Sequence, residues 1–227
     1  MWKLKIAEGG PGLVRGNNFI GRQHWEFVPD AGSPEERAEV ERVREVFKRN
    51  RFQTKQSADL LMRMQPRKEN PRGPIPPPVK VGGTEVITEE AVVTTLRRAL
   101  SFFSSIQAHD GHWPADAAGP LLSLQPLVIA LYITGAINDT FSPPHKKEII
   151  RYLYNHQNED GGWSFHIEGH STMFGTALSY IVLRILGEGP EDGEDMAMPR
   201  ARKWILDHGG LVAIPMWGKF WVAVCPD

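Results

Sequence analysis

The chain has 227 residues, 26 Lys and Arg against 27 Asp and Glu, a formal net charge of -1, and 41% hydrophobic residues. That is the size and balance of a globular chain able to build a core. The near-neutral charge argues against a nucleic-acid partner, which would ask for a basic excess. The single cysteine, Cys225, excludes an internal disulfide framework and a cysteine-cluster metal site.

The first 30 residues are glycine-rich and read as an irregular arm, without the apolar stretch of a secretory signal. Ser33, Pro34 and Glu36 make an N-cap, a first-turn proline and a capping box. Val40, Val43 and Phe47 then give one apolar stripe, and Asn50 ends the helix. A short helix over 57–64 is expected to stop at Pro66. Residues 66–78 hold six prolines in thirteen positions. Proline fixes φ and removes donors, so this stretch is read as an extended spacer. The expected division is therefore an arm over 1–65, a spacer over 66–87 and a helical domain over 88–227.

Thr88 caps the next helix, with Glu89 and Glu90 in its first turn. Its apolar residues Val92, Leu96, Ala99, Phe103 and Ile106 recur at helical spacing. Residues 121–136 are apolar nearly all round. At 16 residues, with Gln125 and Pro126 inside, they are short for a membrane span and read as a buried helix. Residues 144–157 are amphipathic, 171–186 are again apolar all round with Ser171 as cap, and 199–208 form a last helix. This alternation of half-polar and fully apolar helices predicts two concentric helical layers. Attachment to one membrane leaflet through a surface patch stays open.

A shift of 50 residues superimposes Gln107 on Gln157, Asp110 on Asp160, Gly111 on Gly161, Trp113 on Trp163 and Gly119 on Gly169. Each set follows a half-polar helix and precedes an apolar one. A degraded third copy begins at Trp204 and Ile205, with Gly209 in place of the glutamine. The chemistry of Gln-x3-Gly-x-Trp is structural. An amide bridges a helix end and the orphan amides of the next helix, an indole stacks on it and donates its own hydrogen bond, and glycine permits the turn. Gln107, Gly111, Trp113, Gln157, Gly161 and Trp163 are thus read as joints between repeats that spiral or close into a toroid.

This repeat resembles the QW motif of the terpene cyclase/mutase family, and the likeness extends along nearly the whole chain. Residues 1–7 (Met-Trp-Lys-Leu-Lys-Ile-Ala) and 21–27 (Gly-Arg-Gln-His-Trp-Glu-Phe) are similar to N-terminal segments of plant oxidosqualene cyclases. Residues 50–52, 59–63, 96–113, 171–187 and 213–221 follow in family order. The resemblance implies an all-α fold, here an incomplete α/α barrel of QW-type helix pairs behind an irregular arm. It implies cyclisation of 2,3-oxidosqualene to sterols or triterpenes, without metal or organic cofactor. It further implies residence at the cytoplasmic side of the endoplasmic reticulum membrane or on lipid droplets. In the family an aspartic acid of an Asp-Cys-Thr-Ala-Glu motif protonates the epoxide, and aromatic faces stabilise the cations.

By the same resemblance Trp217 corresponds to a tryptophan of the substrate cavity, a core-packing role being the alternative. Ala117 stands where sterol-forming members carry tyrosine, so the stretch over 115–119 (Ala-Asp-Ala-Ala-Gly) leans toward triterpene producers such as β-amyrin or lupeol synthases. Asp-Cys-Thr-Ala-Glu does not occur in these 227 residues, so no catalytic acid is assigned. With two good repeats and one poor one, the barrel is expected to stay open and to expose apolar surface. A non-catalytic fragment that docks on a helical partner through that edge is the competing reading. A prenyltransferase β-subunit-like toroid is a third, poorly served by one terminal cysteine. His166, Glu168 and His170 read as a polar loop before a helix rather than a metal site. Asp110, Asp160 and His112 read as turn residues, and 188–195, with five acidic residues in eight, as a solvated loop.

Overall fold

A computed structural model of the chain describes residues 1–55, 59–70, 73–115 and 120–224. Ala117, Gly119 and Cys225 lie outside the described residues. Two compact units emerge: Met1–Val40 with Ala58–Asp116, and Glu41–Ser57 with Ala117–Asp227.

The first unit corrects the expectation of an irregular arm. Strands β1 (Trp2–Ile6) and β2 (Gln23–Phe27) pair antiparallel, with Trp2 opposite Phe27 and Ile6 opposite Gln23. Strand alternation places Leu4 and Ile6 on one face, where they are buried with Met62. A two-stranded ribbon leaves an unpaired edge, and one glutamine supplies part of the missing partner. Gln65 accepts a hydrogen bond from the Leu4 amide at 2.8 Å and donates to the Leu4 carbonyl at 2.9 Å.

Helix α1 (Pro34–Arg49) starts at the expected capping box. The Glu36 amide donates to Ser33 Oγ at 3.3 Å, and the Ser33 amide donates to Glu36 Oε2 at 3.1 Å. Helix α2 (Asp59–Glu69) does not stop at Pro66. The proline removes a single donor, and the helix closes beyond it through the Asn70 amide on the Pro66 carbonyl at 2.7 Å. Helix α3 (Glu89–Ser105) begins where Thr88 accepts from the Ala91 amide.

The second unit contains α4 (Pro120–Ile133), α5 (Ile137–Thr140), α6 (Pro143–Asn155), α7 (Met173–Ile185), α8 (Ala197–Asp207) and α9 (Met216–Ala223). Helices α5 and α9 were not expected as helices. The cap of α7 is Thr172, which accepts from the Gly175 amide at 3.0 Å. Ser171, expected there, instead donates to Asp160 Oδ1 at 2.7 Å.

Helix α7 is the axis of this unit. Phe174, Ala177, Leu178, Val182 and Leu183 are buried, and α4, α6, α8 and α9 all pack on it. Helices α6 and α8 bury only one face, as their amphipathic sequences require. Helix α4 buries Leu121, Val128 and Ile129, yet Leu122, Leu127 and Ile133 on its other side are exposed. The one strongly polar side chain on its buried face is Gln125, whose Nε2 donates to Ser179 Oγ on α7 at 3.0 Å.

Candidate functional site

The two Gln-Gly-Trp segments fold into the same hydrogen-bonded turn. Gln107 Nε2 donates to the Gly111 carbonyl at 2.7 Å, and Gln157 Nε2 to the Gly161 carbonyl at 2.8 Å. Trp113 Nε1 donates to the Phe103 carbonyl at 2.9 Å, and Trp163 Nε1 to the Leu153 carbonyl at 2.7 Å. Both indoles thus reach ten residues back, to a carbonyl in the last turn of the preceding helix, where each adds a second donor beside the cap amide of Ile106 or His156. Gly111 at φ 93° and Gly161 at φ 94° occupy a backbone region that residues with a Cβ rarely adopt.

The copies differ in their surroundings. Trp163 is completely buried, whereas Trp113 is 50% exposed. Gln157 makes one further bond, from Nε2 to the carbonyl of Ala197 at the start of α8, 2.8 Å away. The amide therefore reaches the next helix by donating to a carbonyl, not by capping orphan amides. The third copy keeps another element of the pattern. His156 Nδ1 donates to the Tyr152 carbonyl at 2.8 Å with the two rings 4.2 Å apart; His208 Nδ1 donates to the Trp204 carbonyl at 2.7 Å with the rings 3.9 Å apart.

The turn aspartates are locally engaged. Asp110 Oδ2 accepts from the Gly21 amide at 2.9 Å, and its Oδ1 lies 2.5 Å from His112 Nδ1. Asp160 accepts from the Gly162 amide, the Ser171 hydroxyl and the Trp204 indole at 3.0, 2.7 and 3.0 Å. Burial works against the charged form of Asp160. The Ser171, Gly162 and Trp204 donors and the nearby His208 outweigh it and hold the carboxyl below its ordinary value of 3.8. A carboxyl that titrates lower when folded stabilises the fold above its unfolded value and loses that contribution as pH falls through the folded one. Stability should therefore drop on acidification from about pH 5 to about pH 2 more steeply in the unaltered chain than in Asp160→Asn. Urea titrations at several pH values measure this; parallel curves for the two proteins would contradict it.

A second cluster gathers around Trp217 in the first turn of α9. Its ring centroid is 3.9 Å from that of Phe174 and 5.7 Å from that of Phe165, the latter nearly parallel at 18°. Phe174 and Phe165 are themselves 5.3 Å apart. Gly218 allows α9 to approach this closely, since a Cβ there would lie 2.9 Å from Phe174 Cδ2 and 2.7 Å from Ile214 Cγ1. Phe174 is buried, whereas Trp217 is 49% exposed and Met216 and Phe220 beside it are more so. The result is an aromatic face, braced from behind and accessible in front, of the kind that attracts cations through the ring quadrupole.

Phe165 and Phe174 were not singled out in the sequence. Phe165 falls opposite Ala115 under the 50-residue shift, so the repeat does not mark it, and Phe174 reads as an ordinary core residue. Among the described residues no group of three or more His, Cys, Asp or Glu could hold a metal ion. No helix among them is long and apolar enough to cross a membrane.

Comparison with known proteins agrees with the repeat. The squalene-hopene cyclase N-terminal domain matches residues 96–226, more than half of the chain. Alpha-onocerin synthase LCD of Lycopodium clavatum is 45% identical over 230 residues, covering 99% of this chain and 30% of that protein. Cycloartenol synthase of Dictyostelium discoideum is 47% identical over 131 residues, 56% of this chain and 18% of that protein. Human (Homo sapiens) lanosterol synthase is 47% identical over 125 residues, 55% of this chain and 16% of that protein. The chain spans less than a third of the length of these relatives. Its repeated turns and these matches together place it in the terpene cyclase family, as a squalene-hopene cyclase N-terminal domain related to the oxidosqualene cyclases.

Proposed function

We propose that these residues form the N-terminal part of an oxidosqualene cyclase barrel, with 2,3-oxidosqualene as the substrate class of the whole enzyme. The accessible face of Trp217, stacked on Phe174 and Phe165, carries this reading. It is a wall suited to hydrocarbon and to the cations formed from it. The Gln107 and Gln157 turns, with Gly111, Trp113, Gly161 and Trp163, serve as joints that hold helices in place and take no part in the chemistry. Ala117 in place of an aromatic ring favours a triterpene-type product. We place the protein on the surface of endoplasmic reticulum membranes or lipid droplets, where its apolar substrate resides.

Cyclisation needs a carboxylic acid kept protonated in a dry pocket to open the epoxide, and Asp-Cys-Thr-Ala-Glu does not occur in the sequence. Purified chain incubated with 2,3-oxidosqualene should therefore yield no cyclic product. Turnover by the 227 residues alone would overturn this reading. A hydrophobic tertiary amine, protonated at neutral pH to mimic a carbocation, should quench tryptophan emission, and Trp217→Ala should remove most of the quench. Equal quenching in both proteins would remove Trp217 from the wall.

The exposed side of α4, with Leu122, Leu127 and Ile133, favours a second role beside the first. Another helical element, from the same polypeptide or another, would cover it.

A further inference from the structure

A run of cations in the second unit plays no part in the reading above. Arg44, Lys48, Arg51 and Lys55 follow one another at intervals of four, three and four residues, the spacing of one helical face. The first two lie on α1 and the others just beyond its end. Each has a partner in the same unit. Arg44 Nη2 lies 3.3 Å from Glu148 on α6, Lys48 pairs with Glu194, Arg51 Nη2 lies 2.9 Å from Asp195, and Lys55 Nζ donates to Asn158 Oδ1 at 3.4 Å. On the same side the Phe47 ring sits 5.8 Å from that of His156.

The four partners come from two successive repeats. Glu148 and Asn158 belong to the second repeat, whereas Glu194 and Asp195 lie in the 3-10 turn that leads into α8. That turn is strained. Asp195 at φ 53° and Met196 at φ 57° both lie in the left-handed region, at a cost of about 1–2 kcal/mol for each such residue. Two clefts open beneath the segment. One, of about 650 Å³, is bordered by Arg44, Lys48, Arg51, Arg151 and Tyr154; the other, of about 620 Å³, by Phe52, Lys55, Asp160 and His208.

We propose that residues 41–55 are an electrostatic strap, fastened across the second and third repeats from outside, which covers these two clefts and is released by ionic strength. A single surface ion pair contributes about 0–1 kcal/mol. Three on one short segment, with the Lys55–Asn158 hydrogen bond beside them, open and close together, so their contributions act on one equilibrium. Glu194 and Asp195 are 74% and 69% exposed at the side chain and are open to screening by salt, whose range falls from about 10 Å at 0.1 M to 3 Å at 1 M. Within the strap Val43, Arg44, Phe47, Lys48, Arg51, Thr54 and Lys55 are half-buried and the remaining residues are exposed, with the Arg44 and Arg51 side chains each 16% exposed. The strap stands apart from any turnover of oxidosqualene.

Hydrogen exchange of the full chain, read by mass spectrometry at about 0.05 M and about 0.5 M salt, tests it. Peptides covering 41–55 and 188–196 should exchange roughly five- to tenfold faster at high salt, while those of α7 stay unchanged. Arg51→Glu should give the fast exchange already at low salt, and the swap Arg51→Glu with Asp195→Arg should restore slow exchange. Salt-independent exchange of 41–55 in the unaltered chain would overturn the proposal. So would a swap that leaves the strap as open as Arg51→Glu alone, in a protein whose α7 remains protected.

Discussion

Trp163→Ala should be among the most damaging single substitutions in the chain, at about 3–5 kcal/mol. The side chain is wholly enclosed and its indole nitrogen spends its only donor on the Leu153 carbonyl. Removing it leaves a large cavity and takes one of two donors from the buried Leu153 carbonyl, which keeps the His156 amide at 3.1 Å. Against a total stability of about 5–15 kcal/mol for a domain, a loss of this size brings the second unit close to unfolding. Trp113→Ala removes the same residue from the same turn, but half of that side chain already meets solvent. Its cost should be no more than about 1–2 kcal/mol. Urea denaturation followed by circular dichroism compares the two. Equal losses would mean that the turn itself, rather than its burial, sets the energy.

Gly175→Ala is the second large effect, and its sign is not the one that helix propensity gives. Alanine inside a helix is normally favoured over glycine by about 1 kcal/mol. At Gly175, however, a Cβ would lie 2.5 Å from the Trp163 carbonyl oxygen and 2.7 Å from that of Ser164. Both are backbone atoms of the turn that enters α7 and have no rotamer by which to move aside. Overpacking of this kind costs about 1–3 kcal/mol or more, so the substitution should destabilise by at least about 2 kcal/mol. Gly187→Ala provides the contrast, because no atom lies within 4 Å and only its φ of 105° resists a side chain. It should cost about 1 kcal/mol. A higher melting temperature for Gly175→Ala would show that α7 does not press on the turn as described.

The helical part of the fold was legible because its information is local. Ser33, Thr88 and the helical spacing of Val92 to Ile106 each specify an element within a few residues, and the helices lie where these signals put them. The strand pair was not legible, although Trp2, Leu4 and Ile6 alternate with lysines. Its partner strand begins 16 residues after Ala7, at Gln23, beyond a glycine-rich stretch, and nothing within β1 says what it pairs with. Pro66 misled for a related reason. Proline is a local signal against helix, but the Gln65 amide is anchored to Leu4, 61 residues away, and that contact lies outside any sequence window.

The site divides in the same way. The repeat identified Gln157, Gly161 and Trp163 because the same chemistry appears twice. It did not identify Phe165 and Phe174, which brace Trp217 in one repeat alone. Their role depends on α9 crossing α7 at Gly218, a tertiary event that the spacing of the aromatic residues does not encode.

The Gln125–Ser179 bond has a consequence for how α4 is oriented. A helix that is apolar on every side gains nearly the same burial whichever face it turns inward, so the hydrophobic effect alone leaves its rotation about its own axis undetermined. A glutamine on that helix removes the degeneracy. Turned outward from α7, Gln125 would give up its bond and Ser179 would be stranded in an apolar interior. Turned inward, Gln125 still leaves Oε1 buried without a hydrogen-bond partner among the described residues. The pair thus sacrifices some stability for a single azimuth. That azimuth decides which of the leucines of α4 become core and which become surface.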